Sequence, residues 1–484
     1  MADISITFWD FDFSKIKLED LRKKIPTNWI QSLSTFDFAV WKNATKQLIN
    51  AVRTFPIKTY SLQYLNSLTV TNSINFQDSA QITIPAKTNR DLSEIMKNIY
   101  PGAFCEIELF NYYFIGVVYS VSFTESISAQ YNYEITARII FPLNLMHSVS
   151  LGFFRKFATI EQDNLWQVLL GYKPNENLMI LQTVEQFIKY WLNLCSSVVF
   201  CVNREGGSLF DFIDTENIEV EDFDSAFFKS YKLIPLKNKR VYIYTPAVNL
   251  EGTLVDVLHS ILQDDEIALD CAWVPAEQKF KVRLIRVPMA PKELLNGISE
   301  KNKFSIEKPS RISFSRDTSR KLYFALIQPI QILTEPFAET TWILNILHKS
   351  GRAPSFLSAR TSFGVDKHAW TTIQTDITPT AEDLEYASMR VQMKNMSEGF
   401  AMKGTVEEHG IQNNLDNIIN RGLYVVEIPS ENIIGWCTDI SYRLQQTGTA
   451  LNAFTDYSIQ FAFYKDEPIV QFLNEVYNGY FGIK

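Results

Sequence analysis

At 484 residues the chain is too long for one compact core, so two to four domains are expected. A hydrophobic share of 46% and an aromatic share of 13%, with 35 Phe and 21 Tyr against 18 Gly and 18 Pro, exclude a disordered chain and favour broad β-surfaces. The net charge of −8 excludes a protein whose main task is to grip nucleic acid, because such grip needs clustered Lys and Arg; a mildly acidic wall instead repels phosphates and keeps a passage open.

The opening stretch MADISITFWDFDFSKIKLEDLRKK has no basic leader, no unbroken apolar core and no small-residue cleavage site, so export through a signal peptide is not expected. No window approaches the roughly 18 apolar residues of a membrane span, and a soluble protein is expected. Residues 1–56 are predicted to form an N-terminal helical segment. Leu18, Leu21 and Ile25 precede the break at Pro26, and Leu33, Phe36, Val40, Leu48 and Ile49 follow it at near-helical spacing. That apolar stripe can pack on its own domain or dock on a neighbour.

Residues 57–150 read as a first β-module, because LTVTNSI and AQITIPA alternate apolar and polar positions as a half-buried sheet requires. A helix over RDLSEIMKNIY stops at Pro101-Gly102, and strands follow in AFCEIELF, YFIGVVYSVSFTESI and YNYEITARIIF. Residues 151–310 are predicted as inserted small α+β modules. There, a helix in TVEQFIKYWLNLC leads to a hairpin in SSVVFCVNREGGSLFDFI turning at Gly206-Gly207, and a helix in TLVDVLHSILQ leads to a hairpin in DEIALDCAWVPAEQKFKVRLI. The acidic stretch with Glu219, Glu221, Asp222 and Asp224 predicts a solvated loop face. Residues 311–467 return to strands, from ISFS through MRVQMKNM and GFAMKGTVEE to FTDYSIQFAFY, and residues 468–484 form a C-terminal helix.

Two of these stretches share one order. GAFCEIELF, FIGVVYSVSF and YNYEITARIIF carry Gly102 and Gly116, and GLYVVEI, IIGWCTDISY and FTDYSIQFAFY carry Gly422 and Gly435. Each series follows a helix-like piece, RDLSEIMKNIYPG or IQNNLDNIINRG, which its first glycine ends, and each second glycine sits inside a strand. The fold class is therefore α+β, mainly β, with two similar β-modules carrying a helix each plus inserted small α+β modules. Three chains with two such modules apiece supply six near-equivalent positions on a ring.

With AQITIPA and these two series, about a third of the chain resembles the tail hub proteins of phage baseplates, which are similar to the first part of type VI secretion spike proteins. The resemblance implies that the two similar modules are tube-like β-barrel modules, and it implies a homotrimer with a tail tube protein above, a central spike protein below and other baseplate proteins around it. It also implies a virion tail tip assembled in the host cytoplasm, with DNA passing through unbound. Because the chain ends at Lys484, soon after the second module, the spike is expected to be a separate protein. The helical segment at the start has no match in that family.

Chemistry is sparse. Cys105, Cys195, Cys201, Cys271 and Cys437 are scattered in apolar runs and read as buried thiols in a reduced compartment, with no CxxC pair for zinc. His147, His259, His348, His368 and His409 form no ligand cluster, and His259 reads as a packed imidazole in a helix. No phosphate-loop, dinucleotide or esterase motif occurs. Lys237, Lys239 and Arg240 read as a solvated strand edge. Asp264, Asp265 and Glu266 are the carboxylates a cell-wall hydrolase would need, yet their place at a helix-to-strand junction suits a turn cover. No enzyme, cofactor or metal is expected. The structural residues expected to shape the modules are Gly102, Gly116, Gly422 and Gly435, while Tyr112, Tyr113 and Phe114 serve either contacts or core packing. A receptor- or glycan-binding tail protein is the competing reading, since aromatic-rich β-proteins also stack on sugars.

Overall fold

A computed structural model describes the chain chiefly over residues 4–12, 49–109, 112–125, 133–141, 207–220, 267–296, 303–316, 393–410, 425–447 and 450–481, with short pieces elsewhere between 144 and 375. The fold is α+β and mainly β. Its first set of strands comprises β1 (Ser5–Asp12), β2 (Arg53–Ser61), β3 (Ser67–Ser73), β4 (Ser79–Ala86), β5 (Phe104–Leu109), β6 (Tyr112–Glu125) and β7 (Tyr133–Ile140). They pair antiparallel in the order β3-β4-β7-β6-β5-β1-β2. Period-two alternation explains the faces: Ala80, Ile82, Ile84 and Ala86 point into the core, and Ser79, Gln81, Thr83 and Pro85 point away.

Helix α1 (Asn89–Asn98) lies between β4 and β5. Its start is written locally, since Thr88 Oγ1 accepts from the Asp91 amide at 3.1 Å and the Asp91 carboxylate accepts from the Thr88 amide at 3.0 Å. The chain leaves through Gly102 at φ +94°, where a side chain would be strained, and the Gly102 amide donates to the Val118 carbonyl at 2.7 Å.

Between the two halves lie β8 (Leu181–Thr183), β9 (Ile213–Val220), β10 (Leu233–Pro235), β11 (Val241–Tyr244), β12 (Ile267–Val274), β13 (Lys279–Arg286) and helix α2 (Pro291–Asn296). They build two small sheets, β10-β11-β8 and β12-β13-β9, with β9 parallel to β13. The second half holds β14 (Lys303–Ser305), β15 (Pro309–Arg316), a small sheet of β16 (Phe324–Pro329), β17 (Trp342–Asn345) and β18 (Trp370–Thr375), then β19 (Met402–His409), β20 (Val425–Ile428), β21 (Ile433–Thr447), β22 (Ala450–Tyr464) and helix α3 (Pro468–Phe481).

The main strands of the second half run β15-β19-β22-β21-β20-β14, the same order as β3-β4-β7-β6-β5-β1 in the first. The likeness extends to single residues. In each set the long strand's ladder slips at the third residue past its inner glycine, at Tyr119 in β6 and at Thr438 in β21. A Cβ on Gly116 would stand 2.4 Å from Ile139 Cγ2, and one on Gly435 would stand 2.5 Å from Ile459 Cγ2, where Ile139 and Ile459 hold matching places on β7 and β22. The sets diverge at one edge, because β1 runs antiparallel to β5 whereas β14 runs parallel to β20.

Four expectations change. The segment 1–56, read as helical, opens with strand β1, whose Ile6 and Phe8 are fully buried at period two; the helical stripe from Leu18 to Val40 lies outside the described residues. Beyond Gly207, Leu209–Phe212 forms a 3-10 turn capped by Ser208 Oγ, which accepts from the Phe210 amide at 3.2 Å, where a return strand was expected. Glu219 sits on strand β9 and pairs with Arg283 at 3.0 Å, so it is not on a loop; Glu221, Asp222 and Asp224 are outside the described residues. MRVQMKNM, read as a strand, is helical where it is described over 393–400, with Met393 and Met396 buried three residues apart.

One apolar cluster runs through both halves, and its largest fully buried side chains include Trp436, Tyr442, Tyr457, Phe8, Phe114 and Phe463. Adding a methyl at either inner glycine forces this packing apart. Gly116→Ala and Gly435→Ala are each expected to lower unfolding stability by about 1–3 kcal/mol in urea titrations, with similar losses in the two copies.

Candidate assembly interface

Among the described residues the two strand sets pair through one pair of strands, β3 and β21. Residues Ile433–Trp436 of β21 pair with β20, and the same strand's far half, Asp439–Gln445, crosses over to pair with β3 of the first set. Alternation decides what this joint buries: Ile440, Tyr442 and Leu444 from β21 and Leu68 and Val70 from β3 are almost completely enclosed. Each such side chain contributes roughly 1.5–3 kcal/mol on burial, so the joint is held mainly by apolar contact. Its other face is polar. Thr71 Oγ1 and Ser441 Oγ are 2.8 Å apart, Ser73 donates to Asp439, and the Gln446 amide donates to the Asn66 carbonyl at 2.9 Å.

Following the ladders outward from Gly116 and Gly435 aligns Val121 with Ile440 and Phe123 with Tyr442; across the sheet it aligns Ile312 with Leu68 and Phe314 with Val70. The aligned residues differ in burial. Phe123 is 54% exposed where Tyr442 is enclosed, and Val121, Ile312 and Phe314 are only half-buried. The cause is pairing: β5 covers β6 only over Tyr112–Val117, and among the described residues β15 pairs with β19 alone. Among the described residues two lengths of sheet edge therefore have no strand partner, and each corresponds to one side of the internal joint.

The face turned away from the core carries hydroxyls and charges of both signs, with Arg138, Arg311 and Lys403 exposed on it. In the second set Arg443 donates to Glu407 at 2.6 Å and to Asp456 at 3.2 Å, and its guanidinium lies 4.8 Å from the Phe454 ring. The matching positions in the first set are Thr124, Thr83 and Thr136, which make a neutral patch.

Beneath the joint sits a group of buried acids. The enclosed Asp78 carboxylate accepts from Asn72 Nδ2 at 3.0 Å and from the Ser73 amide at 2.9 Å, and Asn75, in a left-handed turn, accepts from the Leu269 amide at 3.0 Å to tie β12 to the same corner. Burial, then the neighbouring charges of Asp270 and Asp439, hold the Asp78 pKa well above the ordinary carboxylate range.

Of the residues singled out from sequence, Gly102, Gly116 and Gly435 occupy the turn and strand positions described above, and Gly422 lies outside the described residues. Tyr112 packs 5.9 Å from Tyr442 across the two sets, Tyr113 packs 4.8 Å from Trp273 and donates to Glu106 at 2.6 Å, and Phe114 is in the core. These rings serve internal packing. Cys105, Cys271 and Cys437 are enclosed, with burial pushing each thiol pKa up. His409 lies 4.9 Å from the Phe454 ring. Cys195, Cys201, the other histidines, the Lys237–Arg240 run and Asp264, Asp265 and Glu266 are outside the described residues. Among the described residues no His, Cys, Asp and Glu cluster could hold a metal ion, and no helix is long and apolar enough to cross a membrane. Sequence reasoning missed the edge residues Val121, Phe123, Ile312 and Phe314. The signal was available, because SLTVTN and RISFSR carry the same alternation in β3 and β15.

A raised carboxyl pKa means the folded state holds its proton longer than the unfolded chain does. The contribution of Asp78 is thus complete below about pH 4 and is lost as pH rises through its folded value. Asp78→Asn, which keeps the accepting oxygen, is expected to melt higher than the parent by a margin that widens from pH 4 to pH 8; scanning calorimetry across that range checks it.

No protein-family model matches the chain, and no curated protein matches it. Solved structures similar to it are phage tail proteins and complexes related to the type VI secretion protein VgrG. A tail protein from Neisseria meningitidis MC58 is 10% identical with a TM-score of 0.47, over 83% of this chain and 93% of that one. The 43 kDa tail protein of prophage MuSo2 from Shewanella oneidensis is 9% identical with a TM-score of 0.46, over 83% and 95%. The Escherichia coli c3393 protein, a type VI secretion component described as structurally similar to T4 bacteriophage tail proteins gp27 and gp5, is 8% identical with a TM-score of 0.33, over 82% and 73%.

Proposed function

We propose that this chain is a structural tail hub, three copies of which close into a ring of pseudo-six-fold symmetry between a hexameric tail tube and a trimeric central spike. The observation that carries this reading is the duplication: two strand sets of one order, sharing an inner glycine and a bulge, are fused through a strand-to-strand joint, and the two edges matching that joint have no strand partner among the described residues. A molecule carrying one joint of this kind and both halves of a second is built to repeat. Three copies offer six similar β-surfaces to a six-fold tube, and they offer three copies of whatever is not duplicated, such as the β12-β13-β9 sheet and helix α3, to a three-fold spike.

The polar face supports a passage through the ring. Hydroxyls and the Arg443 ion pairs with Glu407 and Asp456 sit beside three exposed cations, Arg138, Arg311 and Lys403, on different strands, whereas a firm grip on DNA needs cations clustered together. On this reading the work of the protein is geometric. It needs no catalytic residue or cofactor, and its place is the tail tip of a virion.

Mass measurement tests the proposal. The purified chain, alone or mixed with its tube and spike proteins, is expected at three times the 55.8 kDa of one chain. A strictly monomeric or dimeric species in the presence of both partners would overturn it.

A further inference from the structure

The hub reading leaves open which residues join one copy to the next, and the internal joint supplies the answer. We propose that residues 121–125 of β6 pair antiparallel with residues 312–316 of β15 from a second copy, in the register that β21 and β3 use within one chain. This inference rests on the hub reading and adds its contact surface.

The register follows from the ladders. Within the chain Ser441 stands opposite Thr71, Tyr442 opposite Val70 and Arg443 opposite Thr69. Replacing each residue by its counterpart sets Ser122 opposite Ser315, Phe123 opposite Phe314 and Thr124 opposite Ser313 of the second copy. Both faces of the pairing are chemically matched. On the core side Phe123 and Phe314, one exposed and one half-buried, meet as Tyr442 and Val70 do. On the polar side two serines take the place of the Thr71 and Ser441 hydroxyls, which lie 2.8 Å apart in the template.

A slip of one residue would oppose Phe123 to a serine and turn each aromatic ring to the polar face, so the burial pattern selects one register. A second copy suits these edges better than a foreign strand, because the two edges complement each other in the way that the joined pair already does. The contact is head-to-tail and uses different surfaces on the two sides, so it makes a ring when the rotation closes.

Cysteine pairing in the full-length chain tests the register. The double variant Ser122→Cys with Ser315→Cys is expected to give covalent trimers after mild oxidation on a non-reducing denaturing gel. The parent chain, either single variant and the off-face pair Val121→Cys with Ser315→Cys should stay monomeric there. Phe123→Asp, a change at an exposed ring, should keep the circular dichroism spectrum and thermal midpoint while abolishing the trimer in solution. A parent trimer whose in-register cysteines do not link, that links through the off-face pair, or that tolerates Phe123→Asp overturns the register and leaves the hub reading standing. A link from these cysteines to the tube protein instead overturns the choice of partner. A parent chain that never trimerises sinks the hub reading itself.

Discussion

An unpaired strand edge carries a row of amide and carbonyl groups that need partners, and the whole arrangement of this chain follows from how those edges are closed. The pairing of β3 with the far half of β21 is, among the described residues, the one place where the two strand sets meet edge to edge. It turns two short sheets into a continuous one, and it places the polar faces of both on the same side. Without it, Leu68, Val70, Ile440, Tyr442 and Leu444 would face water along an open seam. The long strands make this possible: β6 and β21 each outrun their inner neighbour, so half of each strand is left to serve a different partner.

The copies agree where backbone geometry is demanding and differ where side chains are free to vary. Gly116 and Gly435 press against matching isoleucines because the strands approach too closely there for a Cβ. The bulges at Tyr119 and Thr438 re-aim the strand at the point where it leaves its first partner, so the direction of the far half depends on them. On the polar face the restriction relaxes. Three threonines in one copy replace an arginine held by two carboxylates in the other, and both solutions leave the surface without a free cation at those positions.

Asp78 shows what the joint tolerates. A carboxyl enclosed near Asp270 and Asp439 opposes folding as it ionises, yet its oxygen satisfies the Asn72 side chain and the Ser73 amide at the turn that leads from β3 into β4. The corner needs an acceptor there more than it needs a charge. Leu269 and Asn75 tie the middle sheet to the same turn, so the inserted region and the first strand set share one anchoring point.

Local pattern determined much of this protein from sequence alone. Alternation marked β3 to β7 and β19 to β22, RDLSEIMKNIY with its stop at Pro101-Gly102 marked α1, and the paired glycines exposed the duplication, because each of these signals depends on only a few neighbouring residues. It misread the start of the chain, where SITFWDFD carries strand alternation just ahead of a helical stripe, and MRVQMKNM, whose buried methionines fit a helix. Only the tertiary structure decided that β21 crosses to β3, that Tyr112, Tyr113 and Phe114 pack internally, and that the edges carrying Phe123 and Phe314 have no strand partner among the described residues. Those outcomes depend on which strands lie side by side hundreds of residues apart, and an alternating strand looks the same in sequence whether its edge is paired or free.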